Sequence, residues 1–271
     1  LGGSGELWFD PNGAHDCWGA GMSRTALLDW VLAALARQLK VELEMVTPSG
    51  ADGVITREDV QRAARVITTS AYSASRIREL YGRDATIVPE CIDLARWTRM
   101  LPAPSRRERF TVLCVCRFYP RKRVDVLLRA AALMGKDIEV RIVGGGPEER
   151  RLRALLGSLG LGDRVRWLGT IPDEALAREY AGCDAFCLPS VQEGFGIVFL
   201  EAMAAGKPIV AARAAAVPEV VREGLLVEPE SAEAIASALD RLRRSPELRA
   251  SIAEAGRRAV AERDAPRVAA R

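Results

Sequence analysis

Four charged side chains and one glycine-rich turn are the residues in this chain whose types and spacing could do chemistry. Glu193 and Glu201 flank the segment Gly194-Phe195-Gly196-Ile197, and Arg117 and Lys122 stand well upstream, just past an apolar run. Glutamates accept hydrogen bonds from hydroxyl donors such as those of a sugar or a ribose, and they would repel a phosphate. Arg and Lys do the reverse and would neutralise a diphosphate. Glycines at a strand-to-helix turn let backbone N–H groups approach a ligand, and the helix N-terminus that follows favours an anion. Each residue taken alone is ordinarily a solvated charge, so what matters is whether the fold gathers them.

The elements that must position them are legible in the second half of the chain. Strands are expected at Thr111–Cys116, Glu139–Val143, Val165–Leu168, Ala185–Leu188, Pro208–Ala211 and Leu225–Val227. Between them, helices are expected at Val124–Met134, from Pro147, at Glu174–Tyr180 with Asp173 as cap, from Ile197 or Val198, and at Ser231–Leu242. Ser245-Pro246-Glu247 starts a last helix, with Ser as cap and Pro in the first turn. Near-continuous apolar strands alternating with helices predict a doubly wound parallel sheet, whose ligands bind beyond the carboxyl ends of the strands. Those ends carry Arg117 with Lys122, then Gly144–Gly146, then Gly169, then Glu193–Gly196. All the informative loops fall on one rim.

The first hundred residues read as α/β material in looser form. A short strand is expected at Leu7–Phe9, a helix over Ser23–Leu39, a strand at Val41–Val46 and a helix at Arg57–Ala64. A strand at Val66–Thr68, a helix capped by Ser70 and running to Leu80, and a strand at Ala85–Val88 follow. The expected organisation is a partial N-terminal Rossmann-like domain over 1–100, with a Pro- and charge-rich linker from about 96. A complete domain over 110–245 and a C-terminal helix over 246–271, packing back toward the first domain, complete it. Leu1 stands in place of Met and no signal-peptide pattern accounts for it, so the chain is expected to be a fragment or a processed product.

Composition excludes more than it suggests. Of 271 residues 49% are hydrophobic, enough for a core, and 39 basic against 36 acidic residues leave a formal charge of +3, too balanced to argue for nucleic acid. Only Lys40, Lys122, Lys136 and Lys207 among the basic residues are lysines. Among Cys17, Cys91, Cys114, Cys116, Cys183 and Cys187, Cys114 and Cys116 alternate with Val and Leu in a strand-like run and Cys183 and Cys187 bracket another; none has Cys-x-x-Cys spacing, which favours small buried thiols over a metal site. No run approaches a membrane span. Gly144-Gly145-Gly146 is no dinucleotide fingerprint, since Glu149 stands where its third glycine would fall. No P-loop and no G-x-S-x-G turn occurs.

The stretch from Glu193 through Pro208, Glu-Gly-Phe-Gly-Ile-Val-Phe-Leu-Glu-Ala-Met-Ala-Ala-Gly-Lys-Pro, resembles the signature of the group 1 (family 4) glycosyltransferases, with seven residues between its two glutamates. Arg117–Lys122 with Asp125, Val143–Pro147, Pro189-Ser190, Pro218-Glu219-Val220-Val221 and Gly224–Val227 support it in the same order. Tyr81-Gly82-Arg83, Ile87-Val88-Pro89 and Ile92-Asp93 resemble the end of that family's first domain. The resemblance implies a GT-B fold and a metal-independent, retaining transfer of a sugar from a nucleotide donor, with no cofactor. It implies Arg117 and Lys122 at the diphosphate, Glu201 at the ribose, Glu193 facing the donor sugar as catalytic residue, and Phe195, Gly196 and Ile197 lining phosphates and sugar. Ala214-Ala215-Ala216 departs from the family's glycines, and Val221–Gly224 is short against its pattern. Gly19-Ala20-Gly21 as a glycine loop and Ala14-His15-Asp16 as a donor-side histidine compete for nearly the same residues. The partners implied are a nucleotide-sugar donor and a glycan, lipid-linked or small-molecule acceptor. The last of these expectations are a cytoplasmic location and peripheral contact with the membrane. A nucleotide-sugar epimerase of the same fold and a donor-binding fragment without turnover are the competing readings.

Overall fold

The computed structural model describes residues 6–8, 61, 63, 65–103 and 107–269, and the chain divides into two compact units, Leu1–Asp93 with Arg263–Arg271, and Leu94–Glu262. The expected helix over Ser23–Leu39, the strand at Val41–Val46 and all of Arg57–Ala64 except Gln61 and Ala63 lie outside the described residues. In the first unit β1 (Glu6–Trp8), β2 (Arg65–Thr68) and β3 (Thr86–Ile87) form a parallel sheet in that order. Helix α1 (Ala71–Tyr81) starts where expected: the hydroxyl of Ser70 accepts from the Ser73 backbone N–H at 3.1 Å, and Gly82 closes the helix in a left-handed conformation. Among its described residues Ala63, Val66 and Ile77 form one buried cluster, with Tyr81 and Ala85 against them.

The second unit is the doubly wound parallel sheet. Its strands are β4 (Phe110–Val115), β5 (Ile138–Val143), β6 (Val165–Gly169), β7 (Ala185–Leu188), β8 (Ile209–Ala212) and β9 (Leu225–Val227), in the order β6-β5-β4-β7-β8-β9. Every residue of β7 and β8 is buried, as a sheet covered on both faces requires. The helices are α2 (Leu94–Met100), α3 (Val124–Leu133), α4 (Glu149–Ser158), α5 (Asp173–Gly182), α6 (Ile197–Ala204), α7 (Val217–Val220), α8 (Ala232–Arg244) and α9 (Pro246–Ala261). Right-handed crossovers put α3 and α4 on one face, because the chain steps outward from β4 to β6, and α5 and α6 on the other, because it then returns to β7 and β8. Contacts agree: α8 packs on α3, and α2 and α9 pack on α6. The strand order reverses between β4 and β7.

Several local expectations need correction. Pro147 does not open a helix. The Glu148 N–H bonds back to Phe118 O and the Glu149 N–H to Gly146 O, so the chain is still turning there and α4 begins at Glu149. Asp173 is the first residue of α5 rather than its cap, because Arg96 holds its carboxylate at 3.3 Å and Pro172 occupies the capping position. Part of the expected linker is helical: α2 belongs to the second unit and buries Trp97. Residues 246–271 are not one helix. Ile92 accepts from the Ala265 N–H and donates to Arg263 O, each at 3.0 Å, which ends α9 before α10 (Ala265–Ala269) forms against Cys91 in the first unit. Helix α7, opened by Pro218, was not expected.

Candidate functional site

The rim beyond the carboxyl ends of β4 and β7 is a topological switch point, the place where open α/β sheets bind ligands. Past β4 the chain runs through Arg117 to a single 3-10 turn, Pro120–Lys122, and Arg123 then takes a left-handed conformation (φ 50°) to enter α3. Ion pairs from Arg123 to Asp125 and Glu230 hold that conformation. The consequence is that Lys122 faces the loop after β7. Its ammonium donates to both carboxylate oxygens of Glu193, at 2.6 and 2.8 Å, with side chains only 14% and 6% exposed. The two loops are pinned to each other. Val191 N–H donates to Arg121 O at 2.9 Å, and the buried Ser190 Oγ lies 3.1 Å from the carbonyls of both Arg121 and Gln192, the residues directly before Lys122 and Glu193.

Glu193 is followed by the turn into α6. Gly196 holds φ 93°, closed to most L side chains, and a β-carbon there would lie 2.8 Å from the Phe199 ring. Phe195 is buried beside it, and Ile197 opens α6 at the rim. Glu201, in the second turn of α6, is 6% exposed and held from two sides. The Tyr180 hydroxyl donates to its Oε2 at 2.9 Å, and Trp97 Nε1 donates to its backbone carbonyl at 3.2 Å. Arg117 is exposed, and its guanidinium forms no ion pair among the described residues. The structure thus brings Lys122 and Glu193 into contact and sets Arg117 on the same rim. It places Glu201 on the helix that leaves this rim. His15 and Gly19–Gly21 lie outside the described residues.

Residues 98–259 match the family description "Glycosyl transferases group 1". The chain belongs to the group 1 glycosyl transferases. Every site residue from Arg117 to Glu201 falls inside that match. A 34% identical relative over 217 residues is the GDP-mannose-dependent alpha-(1-6)-phosphatidylinositol monomannoside mannosyltransferase of Mycolicibacterium smegmatis, covering 72% of this chain and 57% of its own. Another, 34% identical over 266 residues, is the D-inositol 3-phosphate glycosyltransferase of Actinosynnema mirum, covering 89% and 62%. The chain therefore spans about six-tenths of the length of these relatives. Among solved structures it is similar to the sucrose-phosphate synthase of Thermosynechococcus elongatus (TM-score 0.71, 26% identity, 89% of this chain and 69% of that one). The Anabaena HepE protein in complex with UDP and glucose shares the fold (TM-score 0.72, 21% identity, 92% and 74%). The fold is accordingly of the α/β, GT-B type. A second, short match to an e3 binding domain over 33–61 falls almost wholly outside the described residues.

Three residues around the site of this group 1 glycosyl transferase were not singled out by sequence: Tyr180, Trp97 and Ser190 as a joint between loops. Trp97 had a signal, a large aromatic inside a charged, Pro-rich stretch, where burial is the cheaper state for an indole. Tyr180 had none, since a tyrosine near a helix end is ordinary. Among the described residues no three His, Cys, Asp or Glu side chains gather as a metal site, and no helix is long and apolar enough to cross a membrane. The five described cysteines are free thiols, four of them buried. Burial pushes Cys91 up to about 11 and Cys183 up to about 12.

Proposed function

We propose that the protein transfers a sugar from a nucleoside diphosphate donor to an acceptor hydroxyl with retention of anomeric configuration and without a metal. The observation that carries this reading is the buried Lys122–Glu193 pair at the sheet's switch point, between an exposed Arg117 and the glycine turn into α6. On this reading the donor diphosphate takes the ammonium of Lys122 and the guanidinium of Arg117. Glu193 is then left to accept from a hydroxyl of the donor sugar. Glu201 accepts from the ribose. As the bond between the sugar's anomeric carbon and the diphosphate oxygen breaks, the two cations stabilise the charge that develops on the leaving group. The acceptor oxygen bonds to that carbon on the same face, and its proton passes to a diphosphate oxygen. Relatives named for GDP-mannose and a neighbour holding UDP leave guanine and uracil as the leading bases, and inositol phosphates or inositol lipids as acceptor chemistry.

A thermal-shift panel of UDP-, GDP- and ADP-sugars on this chain tests the reading. One base should raise the melting temperature clearly above the other two, and chelation by EDTA should not remove the effect. Glu193→Gln should impair transfer or donor hydrolysis more than nucleoside diphosphate binding, and the anomeric proton signal of the product should report retention. No stabilisation by any of the three donors would overturn the proposal. Binding without turnover would reduce it to a donor-binding module, and an epimerised donor would point to isomerase chemistry.

A further inference from the structure

Glu201 is gripped more firmly than a carboxylate on a helix surface needs to be. Tyr180, in the last turns of α5, is fully buried, its ring stacked on Phe186 (centroids 5.7 Å) and set edge-on to Trp97 (5.5 Å, 77°). Phenylalanine would satisfy that packing. Burying a hydroxyl without a partner is unfavourable, so a tyrosine here is explained by what its oxygen touches. It lies 2.9 Å from Glu201 Oε2 and 3.3 Å from Val198 O. A phenol carries one proton, and the shorter contact goes to the charged acceptor, while the carbonyl of Val198 already lies in the helical ladder of α6. The Glu201 carbonyl accepts from both Trp97 Nε1 and the Ala205 N–H. Backbone and side chain of one glutamate are therefore fixed by two neighbouring helices, α2 and α5, beyond its own helical bond.

We propose that Tyr180 is a positioning residue for donor binding: its hydroxyl holds one oxygen of the Glu201 carboxylate so that the carboxylate is set in orientation before a donor ribose arrives. This rests on the ribose role of Glu201 proposed above. A carboxylate has about four lone-pair directions, so one bond to the phenol leaves capacity for ribose hydroxyls. A side chain whose rotamer is locked beforehand loses little further entropy on binding. The pair spans α5 and α6, the two crossovers on either side of β7, so the same bond ties the second turn of α6 to its neighbour.

The test uses the whole chain, the nucleoside diphosphate that binds among UDP, GDP and ADP, and its 2′,3′-dideoxy analogue. Affinities are measured by calorimetry for the unaltered protein, Tyr180→Phe, Glu201→Ala and the double variant. Glu201→Ala should weaken the ribonucleotide about tenfold or more and leave the dideoxy form unchanged. Tyr180→Phe should weaken the ribonucleotide severalfold, spare the dideoxy form, and add nothing in the Glu201→Ala background. The ratio of the two ligands is read on folded protein, so a loss of stability alone would not move it. An unchanged ratio in Tyr180→Phe, with the ratio lost in Glu201→Ala, would overturn the positioning role and leave the ribose role standing. An unchanged ratio in Glu201→Ala would overturn the ribose role itself. Equal weakening of both ligands by Tyr180→Phe would make the tyrosine merely structural.

Discussion

Lys122 and Arg117 carry the same charge on the same rim, yet their environments separate what each contributes. Lys122 neutralises a nearly buried carboxylate, so Lys122→Ala leaves Glu193 desolvated and unpaired, which costs about 3–5 kcal/mol. Adding Glu193→Gln removes the stranded charge and should restore most of that loss. Urea unfolding of the two single variants and the double checks it, and strictly additive losses would mean the pair is not coupled. Arg117 is exposed, so Arg117→Ala should stay within about 0.5 kcal/mol of the unaltered protein. It should nonetheless slow transfer by roughly 10²–10³ if the guanidinium stabilises the leaving diphosphate. Stability and turnover thus come apart at Arg117 and move together at Lys122.

The loops that carry these residues are close-fitting because glycine allows it. Gly144, at φ 130°, ends β5 under the loop after β4, and a methyl group built there would overlap the carbonyl oxygen of Cys116, one residue before Arg117. Gly144→Ala should lower stability by at least about 1–3 kcal/mol and disturb donor binding as well, since the displaced backbone is that of the Arg117 loop. Gly157 in α4 has open space around its α-carbon, and Gly157→Ala should instead stabilise by about 0.4–1 kcal/mol. Thermal melts with and without nucleoside diphosphate compare the two. Much at this scale could be read from sequence. β7, β9 and the Ser245–Pro246 helix start are where apolar runs, caps and first-turn proline put them, because those signals are local. The residues at Asp173 and Pro147 misled for a shared reason: a bond to a residue distant in sequence, from Arg96 to Asp173 in one case and from the Glu148 N–H after Pro147 to Phe118 O in the other, overrides the local preference. The site divides in the same way. Lys122 and Glu193 were legible as types at strand ends, whereas the Tyr180 and Trp97 bonds to Glu201 come from packing of helices on one face of the sheet, which no periodicity encodes.

Across the second unit as a whole, stability should depend on pH through a partly buried ion cluster that includes none of the rim residues. Glu179 of α5 accepts from Arg141 of β5 at 2.6 and 2.8 Å and from Arg107 at 3.0 Å, and Arg141 also donates to Glu139 at 2.9 Å. Burial pushes the Glu179 carboxyl up, but the hydrogen bonds from Arg141 and Arg107 outweigh it and hold the group below its ordinary value of 4.5. A carboxyl whose folded pKa is depressed contributes stability that is fully present above the unfolded value and is lost as pH falls through the folded one. The melting temperature should therefore hold from pH 7 to about 5 and fall below about 4.5, with Glu179 among the contributors. Glu179→Gln strands Arg107 and part of Arg141, so it should cost about 3 kcal/mol near neutrality. Because the unaltered protein loses the same interaction on protonation, the two curves should converge as the pH falls through the depressed value of Glu179. Parallel curves across that range would show that the Glu179 carboxyl is not held down by its arginines. Convergence would place the acid sensitivity of the sheet in this cluster, which ties β5 to α5, the helix that also presents Tyr180 to Glu201.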